Sequence, residues 1–213
     1  MIEIIKNFQN IKSSINNSNV NIIAVGKTFK LDKIKPLIDY GHNHFGENKV
    51  QEAKDKWLNI RKNNPDLQLH MIGKLQTNKA REAVELFDYI HSIDNEKLAN
   101  AVAKYENLLG KKNKYFIQVN IGNEKQKSGI PVSQLSDFFL FCKKNLLNVI
   151  GLMCIPPNDK NSKQYFIDLF KLNKSLKLDE ISMGMSADYL DAIQCGSTFI
   201  RIGSAIFGDR VIK

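Results

Sequence analysis

The stretch NIIAVGKTFK, residues 21–30, decides between the two folds that alternating strands and helices allow. Its apolar run, residues 22–25, is typical of a strand that is buried on both faces of a parallel sheet. A doubly wound sheet that binds a dinucleotide would place a G-x-G-x-x-G turn after this first strand. The turn in this sequence is GKTFKLD, which lacks that pattern. A closed barrel is therefore favoured over an open sheet.

Seven further short apolar runs follow, and amphipathic helix patterns separate them. The predicted strands are 21–26, 43–47, 69–73, 88–93, 114–121, 148–154, 180–184 and 198–203, with helices near 31–40, 48–61, 78–86, 95–109, 133–144, 161–177 and 187–195. Eight such units in about 200 residues are typical of a compact (β/α)8 TIM barrel. Residues 1–17 predict an additional N-terminal helix, because apolar residues recur on one helical face. We therefore expect one α/β domain, residues 1–213.

The composition excludes several classes of protein. The 213 residues carry a net charge of +9, but only four of the 31 basic residues are arginines, and the lysines are spread along the chain. This distribution favours a solvated positive surface over a nucleic-acid interface. No apolar run approaches the roughly 18 residues that a membrane span needs, and the N-terminus lacks a secretory signal pattern. We expect a cytoplasmic monomer with neither a membrane nor a nucleic-acid partner.

The three cysteines do not predict a metal site. Cys142, Cys154 and Cys195 are far apart in the sequence and show no metal-ligand spacing. Their odd number and wide separation favour reduced thiols in a cytosolic protein. We therefore expect no bound metal.

Closure of the barrel places Lys27 next to Arg201. The first strand of such a barrel pairs with the eighth, and both residues stand at the carboxyl ends of their strands, where barrel enzymes have their sites. Lys27 shares one side of its strand with Ile23, and Arg201 shares one side of its strand with Phe199. If both sides face the interior, an ammonium and a guanidinium meet in one pocket.

Each of these cations has two interpretations. Lys27 could be an ordinary surface lysine, or a neutral amine that forms a Schiff base with an aldehyde, because apolar surroundings and a second cation favour the neutral form. Arg201 could form a structural salt bridge with a barrel carboxylate such as Glu47, or it could donate to an acceptor on a ligand, such as a pyridine nitrogen.

The segments SMGMS, residues 182–186, and GSAIFG, residues 203–208, suggest a phosphate site. Barrels often bind phosphate with the loops after strands 7 and 8 and the N-terminus of a short helix. Ser186, Gly203 and Ser204 would supply the donors. Ordinary turn chemistry of Gly and Ser is the alternative.

Other residues near strand ends are less decisive. Asn48 could bind a ligand edge or cap the following helix. His70 lies inside a strand and is interpreted as a core histidine that is bonded to a neighbour. The polar loop within residues 119–130 could form a lid, and Met153 is interpreted as a core residue. An amine, an arginine and a phosphate site in one pocket describe a site for a phosphorylated aromatic aldehyde, which pyridoxal 5′-phosphate (PLP) fits.

The motifs resemble those of the pyridoxal phosphate homeostasis proteins of the YggS/PROSC type, in order along nearly the whole chain. They are AVGKT, HFGEN, IGKLQTNK, QVNIGNEKQKSGI, GLMCIPP, ISMGMSADY and GSTFIRIGSAIFG. The resemblance implies the barrel domain of alanine racemase without its β-rich second domain. It implies that Lys27 holds PLP as a covalent imine and that Arg201 contacts the pyridine nitrogen. It also implies that Ser186, Gly203 and Ser204 hold the phosphate, with Asn48 and Met183 around them.

Two positions depart from the family pattern. Gly26 stands where the family usually has Ser, and Lys74 stands where His or Pro is frequent. Neither departure removes a residue that would hold PLP.

The resemblance implies a role in intracellular vitamin B6 homeostasis without catalytic residues, with PLP-dependent apoenzymes as recipients. An arginine at the pyridine nitrogen weakens the ring as an electron sink. We also expect no second domain after the barrel that would supply an acid or base on the opposite face of the ring. Three alternatives remain open: a single-domain racemase-like PLP enzyme, a Schiff-base aldolase that acts on a sugar phosphate, and a nucleic-acid binder.

Overall fold

The computed structural model describes residues 2–15, 19–159 and 161–209. Its strands are β1 (Asn21–Val25), β2 (His44–Glu47), β3 (Gln68–Met71), β4 (Tyr89–Ile93), β5 (Lys114–Asn120), β6 (Ile130–Pro131), β7 (Val149–Met153), β8 (Glu180–Met185) and β9 (Phe199–Ile202). Its α-helices are α1 (Ile2–Ser14), α2 (Leu31–Asp39), α3 (Val50–Asn63), α4 (Ala80–Leu86), α5 (Glu96–Leu109), α6 (Leu135–Lys144), α7 (Ser162–Ser175), α8 (Tyr189–Gln194) and α9 (Ser204–Phe207). Short 3₁₀ turns precede α4 and α6.

Eight of the strands form a closed parallel barrel. Their order is β4-β3-β2-β1-β9-β8-β7-β5, and β4 pairs with β5 to close the ring. The pairing of β1 with β9 aligns Ile23 with Arg201, which confirms the predicted meeting of the first and last barrel strands. The sequence did not predict β6, a two-residue strand that pairs with the end of β5. The (β/α)8 barrel with a leading helix is therefore confirmed, with one small addition.

Helix boundaries follow local chemistry. Helix α5 begins after Asn95, whose side chain accepts a hydrogen bond from the backbone N–H of Leu98. It ends at Gly110, which adopts the left-handed conformation with φ 62° that an L side chain rarely takes. Helix α1 corresponds to the predicted leading helix over 1–17, of which residues 1, 16 and 17 lie outside the described residues.

Two apolar layers surround the barrel wall. The outer layer lies between strands and helices and includes Phe45 of β2 packed on Trp57 of α3, with ring centroids 4.9 Å apart. The inner layer fills the barrel with Ile23, Tyr89, Phe116, Met153 and Phe199. Strand alternation explains this division, because successive side chains point to opposite faces. Met153 is thus a core residue, as the sequence indicated.

The interior also contains polar side chains. His70, His91, Ser182 and Arg201 are all buried within the ring of strands. Because buried polar groups are costly without partners, their contacts must be accounted for individually.

Candidate functional site

A cavity of about 280 Å³ opens at the carboxyl ends of the barrel strands. Its wall is contributed by the ends of β1, β2, β3, β8 and β9, by the loops that follow them and by the segment after β7. The lining residues are Val25, Lys27, Phe29, Asn48, Ile72, Ile155, Met185, Ser186, Ala187, Arg201, Gly203, Ser204 and Gly208. The volume is close to the lower bound of about 300 Å³ for ligand pockets. The site is therefore built for a small ligand.

Lys27 lies two residues after the end of β1 and is half-buried at the cavity wall. The backbone N–H of Gly26 still donates to the carbonyl of Gly46 at 3.0 Å, so sheet pairing extends to the residue before the lysine. Thr28 then adopts a left-handed φ of 68°, and the chain turns toward α2. This turn leaves Lys27 at the strand end, where the sequence placed it.

A buried ammonium on α3 joins the ends of β1 and β2. Lys56 donates to the carbonyl of Gly26 at 2.9 Å and to Glu47 Oε1 at 2.8 Å. Glu47 also accepts from Trp57 Nε1 at 2.9 Å. Burial raises the pKa of Glu47, and the positive charge of Lys56 opposes that rise. The residues immediately before Lys27 and Asn48 are thereby held to one helix.

Arg201 is 4% exposed, and its guanidinium lies between two strands of the barrel. Nη1 donates to Ser182 Oγ at 2.8 Å, and Nη2 donates to the carbonyl of Cys154 at 2.9 Å. Burial lowers the pKa of Arg201 from its usual value. The interpretation of Arg201 as the salt-bridge partner of Glu47 is wrong, because Glu47 pairs with Lys56. Arg201 thus reaches the cavity as a cation that neutral acceptors hold.

Strand β8 carries an irregularity that decides which methionine meets the cavity. Ser182 is aligned with Phe199, but Met185 is aligned with Arg201, so three steps on β8 match two on β9. Gly184 takes the left-handed φ of 91° within this bulge. Met183, implied by the resemblance, is fully buried in the outer layer, because it alternates with inward-facing Ser182. Met183 does not line the cavity, and the bulge brings Met185 to the cavity wall instead.

Ser186 and the start of α9 form one end of the cavity. The hydroxyl oxygen of Ser186 accepts hydrogen bonds from the backbone N–H groups of Gly203 and Ala205, each at 3.3 Å. Two backbone N–H groups and the Ser186 hydroxyl therefore converge at this end, which Ser204 also lines. Such a donor set is the kind that binds phosphate oxygens.

The structure brings six of the seven sequence-predicted residues to one cavity: Lys27, Asn48, Ser186, Arg201, Gly203 and Ser204. Asn48 lines the wall, and the N-cap position of α3 belongs to Lys49. Sequence reasoning missed the apolar lining of Phe29, Ile72 and Ile155. Their only signal was a position just beyond a strand end.

Two other predictions concern residues near the site. His70 is buried and hydrogen-bonded to His44 and His91, as expected for a core histidine. The loop after β5 does not line the cavity. Its residues are held by bonds from Asn120 Nδ2 to the carbonyl of Glu124 and from Lys127 to the carbonyl of Pro156. The lid hypothesis receives no support from these contacts.

The described part of the cavity lining is cationic, with Lys27 and Arg201 and without a carboxylate. Within residues 2–15, 19–159 and 161–209, no group of three metal-binding side chains occurs, and no helix is long and apolar enough to cross a membrane. Because the described lining is cationic and lacks a carboxylate, the cavity suits an anionic organic ligand.

The sequence matches the family model of the alanine racemase N-terminal domain over residues 2–211. Among curated proteins, it is 39% identical over 204 residues to a pyridoxal phosphate homeostasis protein from Vibrio cholerae, covering 91% of this chain and 86% of that protein.

Among solved structures, the fold is similar to PipY of Synechococcus elongatus with PLP bound. The TM-score is 0.88 and the identity 34%, and the match covers 96% of this chain and 100% of PipY. An alanine racemase from Clostridium difficile superposes with a TM-score of 0.77 over 100% of this chain and 58% of its own, at 12% identity. The latter likeness concerns the fold alone.

Proposed function

This chain belongs to the alanine racemase N-terminal domain family and, within it, to the pyridoxal phosphate homeostasis proteins; on that premise we propose that it binds pyridoxal 5′-phosphate in the carboxyl-end cavity. One observation carries the proposal. A lysine, a buried arginine and a convergent set of neutral donors line the same small cavity, although they come from distant parts of the chain.

The lining residues fit the chemical groups of this ligand. Ser186 and Ser204, with the backbone N–H groups of Gly203 and Ala205, would hold the phosphate. Arg201 would donate to the ring nitrogen, and Asn48 would contact a polar ring edge. When bound, the ligand supplies an aldehyde carbon that a lysine amine attacks with loss of water. Lys27 would supply that amine, because it is the lysine among the described lining residues.

We propose storage or delivery of the cofactor, without catalytic residues, as the role of this site. Arg201 is a donor without an acceptor atom, so it leaves a ring nitrogen unprotonated and the ring a weaker electron sink. Racemisation also needs acid and base groups on both faces of the ring. Apart from Lys27, the described lining contains no residue of the usual acid–base types Asp, Glu, His, Tyr or Cys. This lining supports holding the ligand over transforming it.

The wider setting is also a proposal. We place the protein in the cytoplasm as a single barrel domain over residues 1–213, acting as a monomer without nucleic-acid or membrane partners. The recipients would be apoenzymes that require PLP. The distribution of its lysines along the chain, rather than in one basic patch, supports the absence of a nucleic-acid partner.

The test is to load the purified protein with PLP, reduce it with borohydride and map the modified peptide. We expect the label on Lys27, and we expect Lys27→Ala to lose the visible absorbance of the bound aldehyde while retaining weaker, phosphate-dependent binding. Lys30→Ala is the matched control, because Lys30 is an exposed lysine three residues away. A label on another lysine, or unchanged absorbance in Lys27→Ala, would contradict the assignment.

A second measurement separates storage from catalysis. The PLP-loaded protein is incubated with amino acids in deuterated water, and deuterium at the α carbon is followed by mass spectrometry. Storage predicts exchange no faster than with free PLP. Exchange at enzymatic rates would favour the racemase-like alternative.

A further inference from the structure

An unbroken chain of hydrogen bonds crosses the interior of the barrel. Arg201 Nη1 lies 2.8 Å from Ser182 Oγ, and Ser182 Oγ lies 2.9 Å from His91 Nδ1. His91 Nε2 lies 2.9 Å from His70 Nδ1, and His70 Nε2 lies 2.9 Å from His44 Nδ1. Four links thus join five side chains from β9, β8, β4, β3 and β2.

The two ends of this chain reach different cavities. Arg201 lines the cavity at the carboxyl ends of the strands. His44, at the start of β2, lines a second cavity of about 470 Å³ at the amino ends, together with Lys12, Asn21 and His42. The polar chain therefore spans the barrel from one mouth to the other.

The donor and acceptor chemistry of these groups permits one direction of donation along the chain in which every hydrogen that faces a neighbouring member has an acceptor. Arg201 can only donate, so Ser182 Oγ accepts from it. Within the described residues, the hydroxyl of Ser182 has one other partner, His91, and its own proton must be donated there. His91 then carries its proton on Nε2 and donates to His70, and His70 in turn donates from Nε2 to His44.

This order requires each imidazole to be neutral, with one donor and one acceptor. The surroundings favour that state. Burial lowers the pKa of His70 and His91 well below the usual value, and the charge of Arg201 adds to the effect on His91. At His44 burial again lowers the pKa, Lys114 lowers it further, and Asp88 opposes them. Other charged or titratable neighbours of the chain are His42 and Tyr89 near His70 and Cys154 and Asp188 near Arg201. Tyr89 accepts from Lys114 at 3.0 Å.

Aromatic packing holds the imidazole rings in place. Tyr89 stacks on His70 with centroids 4.3 Å apart and planes 14° apart. Phe116 stacks on His91 at 4.3 Å and 19°. A ring flip would exchange nitrogen and carbon positions and break the chain, and it would have to displace a stacked neighbour in a close-packed interior.

We propose that Ser182, His91, His70 and His44 are positioning residues for Arg201, and that their one-directional hydrogen-bonded chain holds the guanidinium at the ligand cavity. The part of this inference that concerns PLP rests on the proposed function, whereas the chain itself does not. Without an acceptor at His91, the Ser182 hydroxyl would turn its proton elsewhere and hold Arg201 less firmly.

The first experiment uses the natural protein without PLP. Two-bond ¹⁵N–¹H NMR spectra of the four histidines report which ring nitrogen carries the proton. We expect neutral rings protonated on Nε2 at His44, His70 and His91 at pH 7. A proton on Nδ1 of His91, or a charged ring at any of the three at pH 7, would overturn the proposal.

The second experiment asks whether the chain acts on Arg201. We expect His91→Phe to speed water exchange of the Arg201 Nη hydrogens and to weaken PLP binding by about two- to tenfold, the effect of about one hydrogen bond. His91→Asn should restore both, because the Asn side-chain oxygen can accept from Ser182. Met153→Leu is the matched control, since Met153 is buried in the same interior and this swap conserves volume.

The outcomes are separable. Unchanged Arg201 exchange in His91→Phe, or equal losses in Met153→Leu, would overturn the positioning role. If His91→Phe does not fold, the same comparison is made with His91→Asn and Ser182→Ala, which should differ in Arg201 exchange. Failure of PLP to bind the natural protein would contradict the proposed function while the NMR result still decides the chain.

Discussion

The layer outside the barrel strands and the space inside them are stabilised by different chemistry. Outside, apolar side chains such as Phe45 and Trp57 pack between sheet and helices. Inside, aromatic rings stack on imidazoles. These imidazoles belong to the hydrogen-bonded chain that runs from Arg201 to His44. The outer layer depends on buried area and tolerates conservative exchange, whereas each inner polar group depends on a particular partner. Substitutions that remove buried apolar area in one layer, or a hydrogen-bond partner in the other, therefore test the comparison.

The largest expected effect belongs to the outer layer. Phe45→Ala removes a fully buried ring between β2 and α3 and should lower the free energy of unfolding by about 3–5 kcal/mol. Chemical denaturation measures this loss. Leu108→Ala is the control, because Leu108 is 66% exposed and its truncation should change little. Equal losses in both variants would contradict the packing described for Phe45.

Acid should destabilise the protein by protonating histidines that the folded state keeps neutral, such as the partly buried His42. Burial lowers the pKa of His42 to about 4, so the folded state leaves this ring neutral where the unfolded chain protonates it. The stability contributed is complete above about pH 6.5 and is lost as pH falls toward 4, by about 3 kcal/mol for this residue. His42→Phe should flatten the unfolding curve over that range. An unchanged acid dependence in this variant would show that His42 is not the group responsible.

Two buried serines give a sharper contrast between the layers. Ser182→Ala deprives Arg201 and His91 of a partner and should cost about 1–3 kcal/mol. Ser92 is equally buried, but its hydroxyl has no hydrogen-bond partner among the described residues. Ser92→Ala should therefore be neutral or stabilising. Denaturation midpoints of the two variants decide this prediction, which fails if Ser92→Ala is the more destabilised.

The smallest effect on stability is expected at the cavity itself. A Cβ atom at Gly203 would meet Val25 Cβ at an ordinary 3.5 Å, so Gly203→Ala should change the free energy of unfolding by no more than about 0.5 kcal/mol. The added methyl group would still occupy cavity space, and PLP binding should weaken. Parallel denaturation and PLP titration separate the two effects. A large loss of stability would contradict the ordinary contact distance at this position.

The sequence predicted what depends on alternation and chain order. The apolar run at residues 22–25 and the absence of a glycine-rich turn indicated a barrel, and barrel closure brought Lys27 toward Arg201. Strand periodicity cannot reveal an inserted residue, so the bulge at Gly184 and the shift from Met183 to Met185 were missed. The histidine chain was missed because its members lie far apart in sequence and only register aligns them.

The location of the Lys27 amine depends on a residue 29 positions later. The Lys56 ammonium donates to the carbonyl of Gly26, just before Lys27, and to the carboxylate of Glu47, just before Asn48. One side chain of α3 therefore sets the spacing of two cavity walls. Loss of these two hydrogen bonds would move both walls at once, although no atom of Lys56 need contact a ligand. Mutagenesis confined to the residues that line the cavity would miss Lys56. Substitutions at position 56 would show how far the shape of the cavity depends on a residue outside it.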